Sequence, residues 1–381
     1  MPEDLANRLG LACPSPAWLA EPLPDGVPEA LARLARAPGV ARLAIMPDVH
    51  LAEAVCVGVV VATRGVLYPQ AVGADIGCGI TAAPLDAEAD LLRGSDAREA
   101  ALRAMQDAIP VIRWGRRDAP SLPGGPPSAA LSRLAQRDGV TQFATLGRGN
   151  HFAEVQAASD GRLWLTVHSG SRAMGPEVMR RACATAQRAA GGLRWLDAAS
   201  EAGQEYLADA AWCVQYARMS RERMIEHAGE ALRRALGARV LMDEVFGTTH
   251  NGVASETHMG ERLMVHRKGA SPAAVGERSI IPGSMGGMTF HVVGRGVEMS
   301  LTSSSHGAGR RLSRGEARRY LTPEAVRRQL REVCYGPRLA KGALCEEAPD
   351  AYRDITKVMR AQGELVSIMQ RLRTVVCHKG G

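Results

Sequence analysis

The glycine-rich segment 70–79, which spells Gln-Ala-Val-Gly-Ala-Asp-Ile-Gly-Cys-Gly, constrains this chain more than any other part of its sequence. It places Asp75 and Cys78 beside glycines, which allow positive φ and let other groups approach the backbone closely. A carboxylate and a thiolate in one small space suit a divalent transition metal better than Mg²⁺ or Ca²⁺, which prefer oxygen ligands. Taken alone, the segment favours the simpler interpretation of a tight turn with a buried cysteine, because free cysteine is among the most buried residue types.

Histidines further along the chain favour the metal site. Four of them lie beside glycines or small polar residues, where a predicted strand meets a loop: His151, His168, His250 and His306. A single histidine in such a setting is more often structural, but four favour a site because binding residues concentrate on loops held by a rigid scaffold. The first three, with Asp75 and a bridging Cys78, would suffice for two metal ions. Paired ions about 3.5–4 Å apart can clamp the attacking and leaving oxygens of a displacement at phosphorus.

His306 has different neighbours from the other three. It lies in Ser-Ser-Ser-His-Gly-Ala-Gly-Arg at 303–310, where hydroxyls, backbone N–H groups and Arg310 could surround a phosphate. An imidazole in that setting is a candidate nucleophile towards phosphorus. It could equally be a further metal ligand, and residue chemistry alone does not separate the two.

Eight motifs in this chain resemble those of RtcB-type RNA ligases, and they occur in the family's order from about Ala44 to the end of the sequence. They are MPDVH at 46–50, VGADIGCG at 72–79, LGRGNHFAEV at 146–155, HSGSR at 168–172, THN at 249–251, VHRKGASP at 265–272, IIPGSMGG at 280–287 and SSSHGAGR at 303–310. The resemblance implies an enzyme that uses GTP and Mn²⁺ to join RNA 3′-phosphate or 2′,3′-cyclic phosphate ends to 5′-hydroxyl ends. Such a reaction serves RNA repair or tRNA splicing.

The resemblance also implies roles for particular residues. Two Mn²⁺ ions would share the Cys78 thiolate, and the remaining ligands would be Asp75, His151, His168 and His250. His306 would be the nucleophile that accepts GMP from GTP. The implied nucleotide-binding residues are Asn150, Phe152, Glu154, Ser284, Thr289, Gly307, Ala308, Gly309 and Lys379. Glu154 would accept two guanine N–H groups, and Lys379 would reach the base.

Three basic residues complete the implied catalytic set. Arg172 and Arg310 would contact phosphates, and Lys268 would add positive charge for RNA or the triphosphate. For each of them the alternative is a solvated surface charge. After the MPDVH motif the family often has Pro-Gly-Lys, whereas this chain has Leu-Ala-Glu-Ala-Val-Cys at 51–56, which leaves the substrate preference open.

Two other functions are compatible with parts of the pattern. A binuclear-metal phosphodiesterase could open cyclic phosphates with the same ligands and without joining RNA. It would need neither His306 as a nucleophile nor Glu154 as a guanine contact. A non-catalytic RNA-binding member of the family is the third possibility, and it is disfavoured because every expected ligand is present.

The order of predicted elements indicates an α+β fold: an RtcB-like single large domain over residues 1–381, with layered β-sheets and helices packed outside. We predict helices near 28–37, 176–190 and 198–236, and strands near 40–45, 55–63 and between 239 and 301. The long helix carries an apolar stripe at Leu207, Ala211, Val214 and Ala217. Residues 110–128, with Arg113, Arg116 and Arg117 among prolines and glycines, are predicted to form a mobile loop.

A further helix is predicted to begin with Thr322 as N-cap and Pro323 as its first residue. It would carry Arg327, Arg328 and Arg331, either as an RNA-binding face or as a solvated helix face. The net charge of +7 is compatible with a polyanionic partner. Aromatic residues make up only 4% of the chain, so phosphate contacts fit RNA binding better than base stacking does.

Eight cysteines without a Cys-x-x-Cys pair indicate a reducing compartment. The sequence has no signal-peptide pattern and no apolar run long enough to span a membrane, so it predicts a cytoplasmic protein with no membrane partner. The implied partners are RNA with broken or processed ends and GTP. The family resemblance also raises an archease-like activator or a release-factor-like partner.

Overall fold

The computed structural model of the protein describes residues 2–115, 121–122, 124–336 and 341–380. Within these ranges the α-helices are α1 (Leu5–Leu9), α2 (Val27–Ala35), α3 (Ser95–Ala108), α4 (Ala129–Leu134), α5 (Val140–Gln142), α6 (Met174–Thr185), α7 (Glu201–Leu236), α8 (Arg314–Tyr320), α9 (Pro323–Gln329), α10 (Lys341–Glu346) and α11 (Ile355–Ala361).

The strands in the same ranges are β1 (Glu3–Asp4), β2 (Pro16–Ala17), β3 (Val40–His50), β4 (Val57–Thr63), β5 (Val66–Leu67), β6 (Gly79–Glu88), β7 (Phe152–Ala158), β8 (Arg162–Ser169), β9 (Gln187–Arg188), β10 (Arg194–Asp197), β11 (Phe246–Thr249), β12 (Asn251–His258), β13 (Glu261–Lys268), β14 (Ala270–Pro272), β15 (Arg278–Pro282), β16 (Met288–Gly294), β17 (Ser303–Ser305), β18 (Cys334–Tyr335) and β19 (Val366–Lys379).

Two large sheets dominate the described part of the chain. The first has six strands in the order β1-β2-β3-β4-β13-β12. The second has eight strands, ordered β11-β6-β8-β7-β19-β16-β15 with β18 beside β19. Strands β5, β10 and β9 form a small third sheet, and β14 pairs with β17. Neighbouring strands are antiparallel except for the β2–β3 and β18–β19 pairs, which are parallel.

The layers follow from the burial pattern of the strands. In β4, Val59 and Val61 pack into a core under α2, whereas Val60 and Ala62 pack into a second core that also contains residues of β15 and β16. A strand buried on both faces has a continuous apolar sequence, and Val57–Thr63 has one. Helices α3 and α7 cover the outer side of the eight-stranded sheet. The predicted α+β class, with layered sheets and outer helices, is confirmed.

The long predicted helix is α7, and both of its ends have a clear cause. Ser200 is its N-cap, with a side chain that accepts a hydrogen bond from the Gly203 N–H at 3.1 Å. Gly237 ends the helix in the left-handed conformation, at φ 77°. The predicted apolar stripe is wrong in part, because Ala211 is exposed and the buried face instead includes Tyr206, Cys213 and Met224.

Other helix and strand boundaries differ by a few residues from the predicted ones. The first two predicted strands are Val40–His50 and Val57–Thr63, and the helix predicted at 176–190 ends at Thr185. Thr322 caps α9 as expected, accepting from the Ala325 N–H, but Arg331 lies beyond the end of that helix. Arg116 and Arg117 lie outside the described residues, so the mobility of the 110–128 loop stays a prediction.

Candidate functional site

The four histidines lie at strand ends, as their sequence settings predicted. His151 directly precedes β7, His168 is the penultimate residue of β8, and His250 lies between β11 and β12. His306 directly follows β17. Because β6, β7, β8 and β11 belong to one sheet, the ends that carry Cys78 and the first three histidines meet at one edge.

These side chains form two triads that share one sulfur. Asp75, Cys78 and His151 make the first triad, and Cys78, His168 and His250 make the second, with donor atoms within 4.8 Å of one another in each. Cys78 Sγ lies 3.6 Å from His151 Nε2 and 3.3 Å from His168 Nε2. His151 Nε2 is 3.0 Å from Asp75 Oδ2, and the Nε2 atoms of His168 and His250 are 3.4 Å apart. Donor atoms therefore converge on two adjacent points.

Burial sets the protonation states of these groups. It raises the pKa of the Cys78 thiol well above its ordinary value, and the neighbouring Asp75 charge raises it further. Burial also lowers the pKa of His168 and His250 far below the ordinary value, so both imidazoles are neutral and able to act as ligands. A cation would displace the thiol proton. A donor set of imidazole, thiolate and carboxylate fits a divalent transition metal.

A buried arginine holds three of the ligand-bearing segments together. Arg221, from the middle of α7, is 1% exposed. Its guanidinium donates at 2.9 Å to the carbonyls of Gly77 and Ser169, each next to a ligand in sequence, and at 3.4 Å to the hydroxyl of Thr249. Burial lowers its pKa to about 10, so it remains charged at neutral pH. Arg221 thereby fixes the backbone around Cys78, His168 and His250 without reaching the ligands themselves.

The turn that carries Cys78 requires glycine at position 77. Gly77 has φ of 81°, and a Cβ there would lie 2.9 Å from the Cys213 carbonyl oxygen in α7. That separation is too short for a side chain, so only glycine lets the turn pack against the helix. Asn251 supports the same turn by donating to the Asp75 carbonyl at 3.1 Å.

His306 lies beside the second triad but is not a member of either triad. The centroid of its ring is 4.9 Å from that of His250. Its Nδ1 is 2.6 Å from Oδ2 of Asp48, a fully buried residue of β3. The angular geometry of this contact falls outside that of a hydrogen bond, and both Asp48 oxygens lack any other side-chain or backbone donor among the described residues. The buried carboxylate oxygen lies close enough to Nδ1 to favour a proton on that nitrogen, which would leave Nε2 with its lone pair.

Arg353 fixes the backbone on both sides of this contact. Its guanidinium donates to the carbonyls of Asp48 at 3.0 Å and Val49 at 2.6 Å. Its backbone N–H donates to the Gly309 carbonyl at 3.0 Å. The strand that carries the acid and the loop that carries His306 are thus held in one arrangement.

A cavity of about 340 Å³ extends from the second triad past His306. Every predicted nucleotide-binding residue lines it: Asn150, Phe152, Glu154, Ser284, Thr289, Gly307, Ala308, Gly309 and Lys379. Glu154 is buried and accepts hydrogen bonds from Gln156 Nε2 at 2.7 Å and Thr374 Oγ1 at 2.9 Å. Burial raises the pKa of Glu154 to about 7. Lys379 Nζ is 2.9 Å from the Glu347 carboxylate.

The three predicted basic residues differ in position. Lys268 and Arg310 line the cavity, and the Arg310 Nη1 donates to the Tyr352 hydroxyl at 3.0 Å. Lys268 donates at 2.7 Å to the Val55 carbonyl, in the segment that replaces the family's Pro-Gly-Lys, and burial lowers its pKa. Arg172 is not among the residues that line the cavity. Its Nε donates at 3.3 Å to Thr145, so its phosphate contact stays a prediction.

Sequence reasoning missed several residues of the site. Asp48 lies in the MPDVH motif and Asn251 lies in the THN motif. Both residues could therefore have been inferred from motifs that the sequence analysis recognised. The sequence did not identify Arg221 or Arg353 as site residues. Arg221 lies in a helix and Arg353 in an irregular segment, and neither belongs to a recognised motif. Glu347 and Tyr352, which order Lys379 and Arg310, lie outside every recognised motif.

The fold and the site together define an α+β protein with a donor set that fits two divalent cations, beside a cavity that contains charged side chains. A family model described as tRNA-splicing ligase RtcB matches residues 30–123 and 122–380. The RNA-splicing ligase RtcB of Escherichia coli K12 is 34% identical over 371 residues, which cover 89% of this chain and 90% of the relative. The tRNA-splicing ligase RtcB of Archaeoglobus fulgidus is 29% identical over 443 residues, covering 93% and 91%. The chain belongs to the RtcB family of RNA ligases.

Among the described helices, none has both the length and the apolar character that crossing a bilayer requires.

Proposed function

We propose that this protein uses GTP and two Mn²⁺ ions to join RNA 3′-phosphate or 2′,3′-cyclic phosphate ends to 5′-hydroxyl ends, through GMP carried on His306. The observation that carries the proposal is the position of His306. Its ring adjoins His250, yet its Nδ1 faces Asp48 and it belongs to neither triad. A histidine so placed can act on phosphorus beside the metal ions without being one of their ligands.

The first step would be attack by His306 Nε2 on the α-phosphorus of GTP, with pyrophosphate leaving. The Asp48 carboxylate at Nδ1 would hold the ring in the tautomer whose Nε2 lone pair is free, and would stabilise the charge that develops on the ring. Arg310 and Lys268 line the cavity and supply positive charge for the phosphates. Glu154 and Lys379 at the other end would position the guanine.

The remaining steps transfer the nucleotide and join the strands. Water would first open a cyclic phosphate end to a 3′-phosphate and a free 2′-hydroxyl. The 3′-phosphate would then take GMP from His306, which breaks the P–N bond and frees the imidazole. The 5′-hydroxyl oxygen would attack that activated phosphorus and release GMP. Held by the two triads, the ions would supply charge neutralisation at the reacting phosphoryl oxygens.

The alternative of a cyclic phosphodiesterase without ligation needs only the two triads. It leaves the Asp48–His306 pair and the buried Glu154 without a role. His306 and Glu154 both line the cavity beside the candidate metal ligands, which is why we favour the ligase.

The test is incubation with GTP labelled at the α-phosphorus and Mn²⁺, followed by denaturing electrophoresis. The unmodified protein should retain the label, and His306→Ala should not, while its Mn²⁺ content stays unchanged. His227→Ala, which changes a partly exposed histidine on α7, is the matched control and should label normally. Loss of bound metal from His306→Ala would make this residue a ligand and favour the phosphodiesterase.

A cytoplasmic location remains a prediction from the sequence pattern. An archease-like activator or a release-factor-like partner remains a prediction of the family resemblance.

A further inference from the structure

The positive charge of this protein is concentrated in one short segment. Residues 310–331 contain eight arginines and two glutamates, a formal charge of +6, whereas the whole chain has a net charge of +7. The rest of the sequence is therefore close to neutral. The segment comprises the end of the His306 loop, helices α8 and α9, and the residues that join and follow them.

The two glutamates in this segment are already engaged. Glu316 accepts from the Ser313 N–H at 2.8 Å in the capping box of α8, and Glu324 lies 3.5 Å from Arg327. Arg319 and Arg328 are exposed and have no carboxylate within ion-pair distance in the described part of the chain. Both guanidinium groups therefore remain available to an anion from outside.

The segment is anchored to the rest of the protein. Ala317 of α8 and Val326 of α9 are buried in one apolar cluster. Glu346 of α10 lies 3.6 Å from Arg314 and 3.4 Å from Arg318. The charged surface is consequently part of the folded structure and has a defined orientation.

This surface is continuous with the catalytic cavity. Arg310 and Arg314 line the cavity wall, and Arg318 lies one helical turn beyond Arg314 on the same side of α8. Tyr320, at the end of α8, has 63% of its surface exposed. An exposed aromatic ring among arginines is the combination on which single-stranded nucleic acid stacks its bases and neutralises its phosphates.

We propose that α8 and α9 form a surface that binds the single-stranded RNA leading into the cavity, through its phosphodiester backbone. The inference rests on the proposed function, since it concerns the path of the RNA substrate. Arg319 and Arg328 contact phosphates several nucleotides away from the joined end. Tyr320 stacks on a base between them and the cavity.

The experiment measures binding directly, so that it does not depend on ligation. A fluorescein-labelled single-stranded RNA with a 3′-phosphate is titrated with the protein, and anisotropy is recorded over a range of salt concentrations. The double variant Arg319→Ala/Arg328→Ala should bind on the order of 10-fold more weakly, and the slope of log affinity against log salt should fall by about 0.7 for each lost contact. Tyr320→Ala should weaken binding without changing that slope.

The matched control is Arg36→Ala/Arg188→Ala, which removes exposed arginines from the end of α2 and from β9 without touching a residue that lines the cavity. It should leave affinity and slope close to those of the unmodified protein. GMP labelling of Arg319→Ala/Arg328→Ala should also be unchanged, because that step needs no RNA. A dinucleotide 3′-phosphate is too short to extend out of the cavity. It should therefore bind Arg319→Ala/Arg328→Ala and the unmodified protein equally.

Equal weakening by the control pair, or an unchanged salt slope in Arg319→Ala/Arg328→Ala, would overturn the proposal. Failure of the ligase proposal has a different signature. In that case the unmodified protein would show neither GMP labelling nor joined RNA, whereas the difference in RNA binding between the two double variants would persist.

Discussion

Asp48 Oδ2 and His306 Nδ1 lie 2.6 Å apart, although 257 residues lie between Asp48 and His306 in the sequence. Asp48 is fully buried, and Arg353 holds its carbonyl and that of Val49 in place. A buried carboxylate that faces one ring nitrogen leaves the other nitrogen free to react, as the proposed role of His306 as the nucleophile requires.

Asp48→Asn should reduce the rate of GMP labelling by at least about 100-fold, because an amide neither stabilises the charged ring nor enforces the tautomer. Bound Mn²⁺, measured by elemental analysis, should be unchanged. Asp86→Asn, which removes the charge of an aspartate paired with Arg239 at the surface, is the control and should label at the normal rate. Normal labelling of Asp48→Asn would show that the contact has no catalytic role.

Cys78→Ala should disturb both metal positions at once, since its sulfur is common to the two triads. Loss of a group that only orients a ligand typically lowers metal affinity by about 10–100-fold, and loss of a shared ligand should reach or exceed that range for both ions. His151→Ala should mainly empty one position. Metal stoichiometry by elemental analysis after dialysis distinguishes these outcomes, with Cys183→Ala on α6 as the control. Two retained ions in Cys78→Ala would exclude the bridge.

Glu154 should make binding of the guanine base depend on pH. Its carboxyl has a pKa raised to about 7 by burial, and guanine N–H donors need the ionised form. Affinity for guanosine should therefore rise between about pH 6 and about pH 8 and then level off, and calorimetry without metal ions isolates this effect. Glu154→Gln should remove the dependence. Flat affinity in the unmodified protein would argue against base recognition by Glu154.

The same residue should select GTP over ATP. Adenine presents the N1 lone pair where guanine has N1–H, and it lacks the N2 amine. A buried carboxylate that faces an acceptor in place of two donors costs on the order of several kcal/mol. GMP labelling should therefore greatly exceed AMP labelling.

Without nucleotide, the raised pKa of Glu154 also means that the folded state holds the proton more tightly than the unfolded state. Its contribution to the free energy of unfolding is thus lost as pH rises from 4.5 to about 7.

Arg221→Met should lower the free energy of unfolding by about 3 kcal/mol, because it leaves the buried carbonyls of Gly77 and Ser169 without donors. Mn²⁺ affinity should fall as well, since the ligand-bearing backbone loses its support. Arg223→Met, on the same helix but exposed and paired with Glu226, should change stability by less than about 1 kcal/mol. Denaturant unfolding measures both variants, and equal stability would contradict a supporting role for Arg221.

The strand ends of the site could be predicted from sequence because glycines and small polar residues mark where an apolar run stops. His168 and His306 are clear cases. Arg221 could not be predicted, since an arginine inside a helix is normally solvated and only the folded sheet supplies its carbonyl partners. The apolar stripe of α7 was misplaced because alanines such as Ala210 and Ala211 lie on neighbouring faces and give little directional signal.

The pairing of β19 with β7 sets when activity can first exist during synthesis. Glu154 and Cys377 are partners in that pairing, and Phe152 is the partner of Lys379, so one wall of the cavity is completed only by the last described strand. This wall of the cavity can therefore form only after β19 has been synthesised. Contacts this distant in sequence form slowly. Until β19 pairs with β7, the cavity lacks Cys377 and Lys379 from its lining.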